Sequence, residues 1–396
     1  MIQRHLLTAI WLMVDYNFKN MNIEMVDLKS QYLKIKQDID SAVVKCMEST
    51  EFINGGVVSQ FSQNLEKYLD VKHVIPCANG TDALQIAMMA LNLKRGDEVI
   101  VPCFTYVATA EVIALLGLMP IMVDVEPDSF MLDLEKVKLA ITPKTKAIVP
   151  VHLFGQCCPI NELMEIAKEY NLYVIEDTAQ AIGAKYKTGE NARMQSAGTI
   201  GHIGCTSFFP SKNLGCYGDG GALFTNDSDL AKRIKMIANH GQSIKYHHQV
   251  VGVNSRLDSI QAVILSIKLK YLNEYTQARQ NAANFYDKGL SKIGWLKTPI
   301  RISNSTHVFH QYTLVLNDEV NREKFQTYLK ENGIPTMVYY PIPLYLQEAY
   351  KAQDISDGLF PVTERLCKNV ISLPMHSELT LDQLQHIVSR ICSYNN

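Results

Sequence analysis

Apolar and polar positions along the chain follow two rhythms. Between about residues 70 and 230, short and nearly continuous apolar runs alternate with stretches of helical spacing, the pattern of an α/β domain around a largely parallel sheet. The predicted strands are residues 98–102, 120–125, 146–154, 172–177, 205–209 and 221–226, and their unbroken apolarity implies burial on both faces. Helices are predicted at 81–91 and 160–170. Residues 256–275 carry Leu257, Ile260, Val263, Ile264, Ile267 and Tyr271 at the spacing of one long helix leaving the large domain. After it, a strand at 312–316 and a helix at 323–333 predict a smaller α+β unit. The expected organisation is a large domain over 21–275 and a small C-terminal domain over 276–396, packed as one unit because no repeat, low-complexity tract or long linker separates them. Residues 1–20 stand apart. Their apolar run, Leu6 to Val14, is shorter than the roughly 20 residues of a membrane span, and no small-residue cleavage site follows, so an N-terminal extension is expected, with the functional chain beginning near Met21.

Composition narrows the function. The 396 residues are 47% hydrophobic and 20% charged, enough for a large buried core. A formal net charge of -2 gives no field for nucleic acid, and nothing marks a membrane partner, so small soluble ligands are expected. Nine cysteines without CxxC pairs read as reduced thiols of a cytoplasmic protein; the adjacent Cys157 and Cys158 are either a redox pair or ordinary packing. The histidines of 245–249 lack helical i, i+4 spacing and an acidic partner, and no metal is expected.

Three segments carry candidate chemistry. In residues 77–84, a strand-like run meets a helix at Asn79, Gly80 and Thr81, where glycine lets backbone N–H groups approach an anion and the Thr81 hydroxyl adds a donor; a plain helix cap has the same look. In residues 174–184, Glu176 and Asp177 end an apolar strand, where open α/β sheets bind their ligands. A buried carboxylate there suits the ring nitrogen of pyridoxal phosphate, a helix cap or a metal. In residues 205–224, a buried strand runs into Ser211 and Lys212 and then into glycines at 215, 218, 220 and 221. Partial desolvation of Lys212 favours its neutral, nucleophilic form and Schiff-base chemistry, against the alternative of a solvated surface lysine.

Taken together, these segments resemble the DegT/DnrJ-type family of sugar aminotransferases, from about Val26 to residues 372–379. The resemblance implies the aspartate-aminotransferase-like fold, type I of the pyridoxal-phosphate enzymes, with a mixed, mostly parallel sheet in the large domain. It makes Lys212 the catalytic, cofactor-bearing lysine and Asp177 the partner of the pyridine nitrogen. Gln180 would contact the phenolic oxygen, Gly80, Thr81 and Ser207 would hold the phosphate, and Tyr106 would stack on the ring. Asn254 would reach the phosphate of a neighbouring subunit, which implies a homodimer. L-glutamate is the implied donor in a ping-pong cycle, and a lysine at 212 argues against the histidine-bearing dehydratase branch. Carried by residues 77–87, 206–227 and 240–258, the resemblance implies UDP-2-acetamido-2-deoxy-3-oxo-glucuronate as acceptor, in bacterial surface-polysaccharide biosynthesis. Phe52, Ser211, Arg256, Tyr339 and Tyr340 would line the sugar-nucleotide pocket. Arg256 is then a fork for the uronate carboxylate, or else a member of a structural ion pair. The uronate enzymes have histidine where Tyr339 stands, and many relatives have histidine at Tyr345. Alternative acceptors are dTDP-3-keto or 4-keto-6-deoxy sugars. The fold also serves lyases, decarboxylases and aldolases, and a non-catalytic, cofactor-binding regulator is a further class.

Overall fold

A computed structural model describes residues 21–189, 192–350 and 358–395; the expected extension over residues 1–20 lies outside them. The large sheet has seven strands: β1 (His73–Cys77), β2 (Glu98–Pro102), β3 (Met119–Val123), β4 (Thr145–Ile148), β5 (Tyr173–Asp177), β6 (Ile203–Ser207) and β7 (Gly221–Thr225). Their order is β1-β7-β6-β5-β4-β2-β3. Strand β7 is antiparallel to both neighbours, and the other pairings are parallel. Because β7 reverses against β1 and again against β6, the strands β1, β5 and β6 point the same way and end along one edge. That edge carries the candidate site.

Both faces of the sheet are buried, as the apolar runs require. Successive residues feed opposite cores: Ile100 and Val174 pack with Phe104 and Leu163 on one side, whereas Val99, Val101 and Ile175 pack with Leu84 and Ala87 on the other. The predicted strand 146–154 is shorter than expected. It ends at Ile148; the chain beyond stays buried but makes only an isolated bridge from Val151 to Asp177 and a 3-10 turn, Leu153–Gly155, in which Phe154 has φ 57°. Apolarity reported burial there rather than extension.

The helix predicted over 256–275 is two helices, Ser259–Lys270 and Leu272–Leu290, separated at Tyr271 (φ -101°, ψ 0°). The second helix joins the two parts of the molecule. Its Leu272 packs with Phe61, Leu65 and Phe208 in the large core, and its Tyr286 and Leu290 pack with Tyr312, Phe325 and Ile387 in the small one. The small antiparallel sheet consists of β8 (Leu296–Lys297), β9 (Tyr312–Leu316) and β10 (Val370–Leu373), in that order. Among the described residues no helix is long and apolar enough to cross a membrane, and no cluster of three or more His, Cys, Asp or Glu side chains has the placement of a metal site. His247 and His248 are exposed in a short hairpin, and Cys157 and Cys158 are free, buried thiols.

Candidate active site

The helix Gly80–Ala90 starts directly after β1. Asn79 caps it, its Oδ1 accepting from the Asp82 N–H at 2.7 Å, which leaves the N–H groups of Gly80 and Thr81 at the positive end of the helix. Ser207, the last residue of β6, lies against this end so closely that a Cβ on Gly80 would sit 2.7 Å from the Ser207 Cβ. A Cβ on Gly221 would likewise meet the Asn79 carbonyl at 2.4 Å. Two strand ends and one helix end thus converge where only glycine fits, and they bring the N–H groups of the helix start against Ser207, whose Oγ accepts from the Phe209 N–H at 3.2 Å.

Asp177 ends β5 and is buried. Its Oδ2 accepts from Thr109 Oγ1 at 3.0 Å and its Oδ1 from the Ala179 N–H at 3.0 Å, while its own N–H donates to the Pro150 carbonyl at 2.9 Å. Burial raises the Asp177 pKa above the ordinary aspartate value, against the opposing pull of these two donors, the charge of Lys212 and that of His152. A carboxylate so placed is stabilised by a cationic N–H set against it. The neighbouring Glu176, the other candidate at this strand end, is turned away into the structure. Burial pushes its pKa up, but donation from His152 Nε2 (2.8 Å) and from the N–H groups of Gly201 and Gly198 outweighs this and holds it below the usual glutamate value. Glu176 also accepts from the Ile200 N–H at 2.8 Å, so it fixes the segment before β6.

Lys212 lies in the connection from β6 to β7, its N–H donating to the Phe209 carbonyl at 2.8 Å. Burial lowers its pKa to about 8, with the Asp177 charge acting in the opposite direction. Asn213 secures this turn: its Nδ2 donates to the Val308 carbonyl at 3.0 Å and its Oδ1 meets His310 Nδ1 at 3.2 Å. Gln180 accepts from the Phe154 N–H at 2.7 Å and donates to Tyr340 Oη at 3.1 Å. Tyr340 packs edge-on to Phe104, and Tyr106, 57% exposed, has its ring 6.2 Å from that of Tyr340. Tyr339 is half-buried beside Tyr340; burial raises its pKa, against a hydrogen bond with Gln311. Ser211 is half-buried just before Lys212.

Phe52, Asn254 and Arg256 form a second group. Arg256, Asn254 and Asp258 line a cavity of about 270 Å³ with Ala78, Asp219 and Gln261, next to Asn79 and Gly80. The Ala78 N–H donates to Ser255 Oγ at 3.0 Å, which ties this loop to the start of the phosphate loop. Phe52 is exposed and its carbonyl accepts from the Ser259 N–H at 2.9 Å. Of the two readings of Arg256, the structural ion pair is not formed among the described residues. Thr109, His152, Asn213 and His310 surround the site without any local sequence signal to mark them.

The donor set fits pyridoxal phosphate: an anion cradle at a helix N-terminus, a buried carboxylate, a lysine of lowered pKa and an exposed aromatic ring on one sheet edge. Fold and site together define a pyridoxal-phosphate-dependent aminotransferase with the aspartate-aminotransferase-like fold. The family model described as "DegT/DnrJ/EryC1/StrS aminotransferase family" matches residues 33–392. The chain belongs to this family, and it is a nucleotide-sugar aminotransferase. It is 46% identical over 369 residues, 93% of this chain and 99% of the relative, to the UDP-2-acetamido-2-deoxy-3-oxo-D-glucuronate aminotransferase of Pseudomonas aeruginosa. It is 43% identical, over 94% of this chain and 99% of the relative, to a "pleiotropic regulatory protein" of Geobacillus stearothermophilus. Among solved structures, NtdA of Bacillus subtilis with bound cofactor PMP superposes with a TM-score of 0.85 at 31% identity, covering 94% of this chain and 86% of that one.

Proposed function

We propose that the chain transfers the amino group of L-glutamate to UDP-2-acetamido-2-deoxy-3-oxo-glucuronate, working as a homodimer in the cytoplasm, and so supplies amino sugars for surface polysaccharide. The observation that carries the acceptor is the near full-length likeness to the Pseudomonas enzyme, joined to a guanidinium, Arg256, that faces a cavity without an ion-pair partner among the described residues. A planar fork of this kind matches a carboxylate in bidentate geometry.

When bound, pyridoxal phosphate supplies the electron sink for the pair left at the amino-acid Cα. In this reading Asp177 keeps the pyridine nitrogen protonated, with Thr109 and Ala179 orienting the carboxylate. Lys212, with a pKa near 8, takes the proton from the donor Cα and returns one on the other side of the cycle. Gly80, Thr81 and Ser207 hold the phosphate, Gln180 meets the phenolic oxygen, and Tyr106 covers the ring face. Phe52, Ser211, Arg256, Tyr339 and Tyr340 surround the sugar nucleotide. Asn254, grouped with Arg256 beside Ala78, completes the partner subunit's phosphate site. The nine unpaired thiols suit a reducing compartment. We also place the division between the domains at residue 275, within the helix Leu272–Leu290 that feeds both cores.

Reverse transamination with a panel of UDP- and dTDP-linked amino sugars tests the acceptor. Conversion of the UDP-linked 3-amino uronate, with KM raised at least about tenfold by Arg256→Ala and an unchanged glutamate half-reaction, is expected. Conversion of a 4-amino sugar but not of the 3-amino uronate would overturn it.

A further inference from the structure

A second lysine beneath the site has no place in the reaction described above. Lys268, in the helix Ser259–Lys270, is only 1% exposed. Among the described residues no carboxylate pairs with it. Its Nζ donates to the Gly215 carbonyl at 2.6 Å and lies 5.0 Å from the centre of the Tyr217 ring. Both contacts fall on the connection that carries Lys212. The same helix grips that connection a second time through Gln261, whose Oε1 accepts from the Tyr217 N–H at 2.8 Å and whose Nε2 donates to the Tyr217 carbonyl at 3.3 Å.

A buried ammonium without a counter-charge is costly, and the cost shows: burial draws the Lys268 pKa down to about 8, with the Cys216 thiol raising it and Arg279 lowering it further. Such a group contributes through the hydrogen bond it makes. A methionine would fill the same space in the core without that expense.

The Lys212 connection is steered from two sides. On the small-domain side Asn213 is bound to the Val308 carbonyl and His310. On the far side the leg from Gly215 to Tyr217 is held by Lys268 and Gln261. Between these clamps the chain turns so tightly that a Cβ on Gly215 would sit 2.3 Å from the Pro210 carbonyl oxygen. The turn is closed by the Cys216 N–H donating to the Phe208 carbonyl and the Lys212 N–H donating to the Phe209 carbonyl, both at 2.8 Å, so a shift of the Gly215 leg is transmitted to the residues that lead into Lys212.

We infer that Lys268 is a positioning residue: by holding the Gly215 carbonyl and the Tyr217 ring it sets where the Lys212 amine stands relative to Asp177. The inference rests on Lys212 being the cofactor-bearing lysine.

The test uses the full-length protein with Lys268→Met, Lys268→Arg and, as a control for lost helix packing, Leu269→Ala. Three quantities are read: the rate at which added pyridoxal phosphate becomes attached to Lys212, fixed by borohydride and located by peptide mass; the rate of Lys212 modification by trinitrobenzenesulfonate in cofactor-free protein; and kcat and KM for glutamate. Lys268→Met is expected to slow attachment and kcat by about tenfold, to change the modification rate of Lys212, and to leave KM for glutamate within about twofold. Lys268→Arg, which keeps a cationic donor, restores most of the loss. Wild-type attachment, modification and kcat in a folded Lys268→Met protein overturn the inference, as does an equal loss in Leu269→Ala at equal melting temperature. If Lys268→Met fails to fold, Lys268→Gln takes its place, since its shorter side chain cannot reach the Gly215 carbonyl as the lysine does: wild-type attachment, modification and kcat in that folded variant overturn the inference. Attachment of the cofactor to a lysine other than 212 in the wild type instead removes the underlying reading.

Discussion

Replacing Gly80 with alanine sets two effects of opposite sign against each other. Gly80 is the first residue of the Gly80–Ala90 helix, where alanine in place of glycine favours the helix by up to about 1 kcal/mol. The added methyl, however, would stand 2.7 Å from the Ser207 Cβ and 3.2 Å from its Cα. Carbon atoms settle about 3.5–4.0 Å apart, so the helix start and the end of β6 must separate by roughly 1 Å. Overpacking of this kind costs about 1–3 kcal/mol, more than the helix gains. The atoms displaced are those assigned to the cofactor phosphate, so the loss is concentrated in cofactor affinity, about 10- to 100-fold. Gly56 provides the control. It is the first residue of the helix Gly56–Leu69, and its added methyl meets nothing within 4 Å. Gly56→Ala is therefore expected to leave cofactor affinity unchanged and to hold or raise the melting temperature. Titration of cofactor-free protein with pyridoxal phosphate, followed by absorbance, and thermal melts of both variants make the comparison. Cofactor affinity in Gly80→Ala equal to that of the wild type, with a melting temperature raised as in Gly56→Ala, would falsify the argument.

Further outcomes follow from the same geometry. Modification of Lys212 by an amine reagent in cofactor-free protein is expected to rise with pH through a midpoint near 8 instead of the ordinary lysine value of 10.5, because burial disfavours the charged form; a midpoint above 10 excludes a desolvated amine. Lys212→Ala should lower transamination by more than about a thousandfold while leaving the melting temperature of the cofactor-free protein unreduced, as checked by product assay and calorimetry. Thr109→Val removes the donor to Asp177 Oδ2, raises the aspartate pKa further, and should reduce kcat by about tenfold, the weight of a hydrogen bond to a charged group. Glu176→Ala leaves three backbone N–H groups and His152 without their acceptor, and denaturant unfolding should show a loss of about 3–5 kcal/mol. Since the Glu176 pKa is lowered on folding, its contribution is present above the ordinary glutamate range and disappears as pH falls through the folded value, so the variant's stability should depend less on acid than the wild type's.

Most of the large domain was legible because burial on both faces writes strands as apolar runs, and β2, β5 and β7 lie within a residue of their predicted places. The exceptions share one cause: hydrophobicity reports burial and not backbone shape. Residues 149–154 are apolar because they lie under the site, yet the left-handed Phe154 ends any strand there. The apolar spacing likewise continues past Tyr271, so nothing in the pattern marks the break between two helices. Asp177 and Lys212 stood out as candidates because one ends and the other follows a predicted strand, and Gly80 because it precedes a predicted helix; Ser207, inside the predicted strand 205–209, came from the family resemblance alone. Thr109 and His310 act through tertiary contacts to residues far along the chain, and no local spacing announces them. Lys268 did leave a trace, a lone charge on the apolar face defined by Ile260, Ile264 and Ile267.

The reversed strand β7 also bears on the order in which the site assembles. Its pairing with β6 joins Ser207 to Gly221 across one short connection, whereas its pairing with β1 joins Thr225 to His73, almost the full span of the large sheet. Closing the first loop costs little chain entropy, and closing the second must await the strands between. The lysine connection can therefore take shape as a local hairpin while the anion cradle waits for the N-terminal strand to return. Cofactor affinity therefore also reports on the pairing of the edge strand β1 with β7, because the helix start at Gly80 is carried by β1.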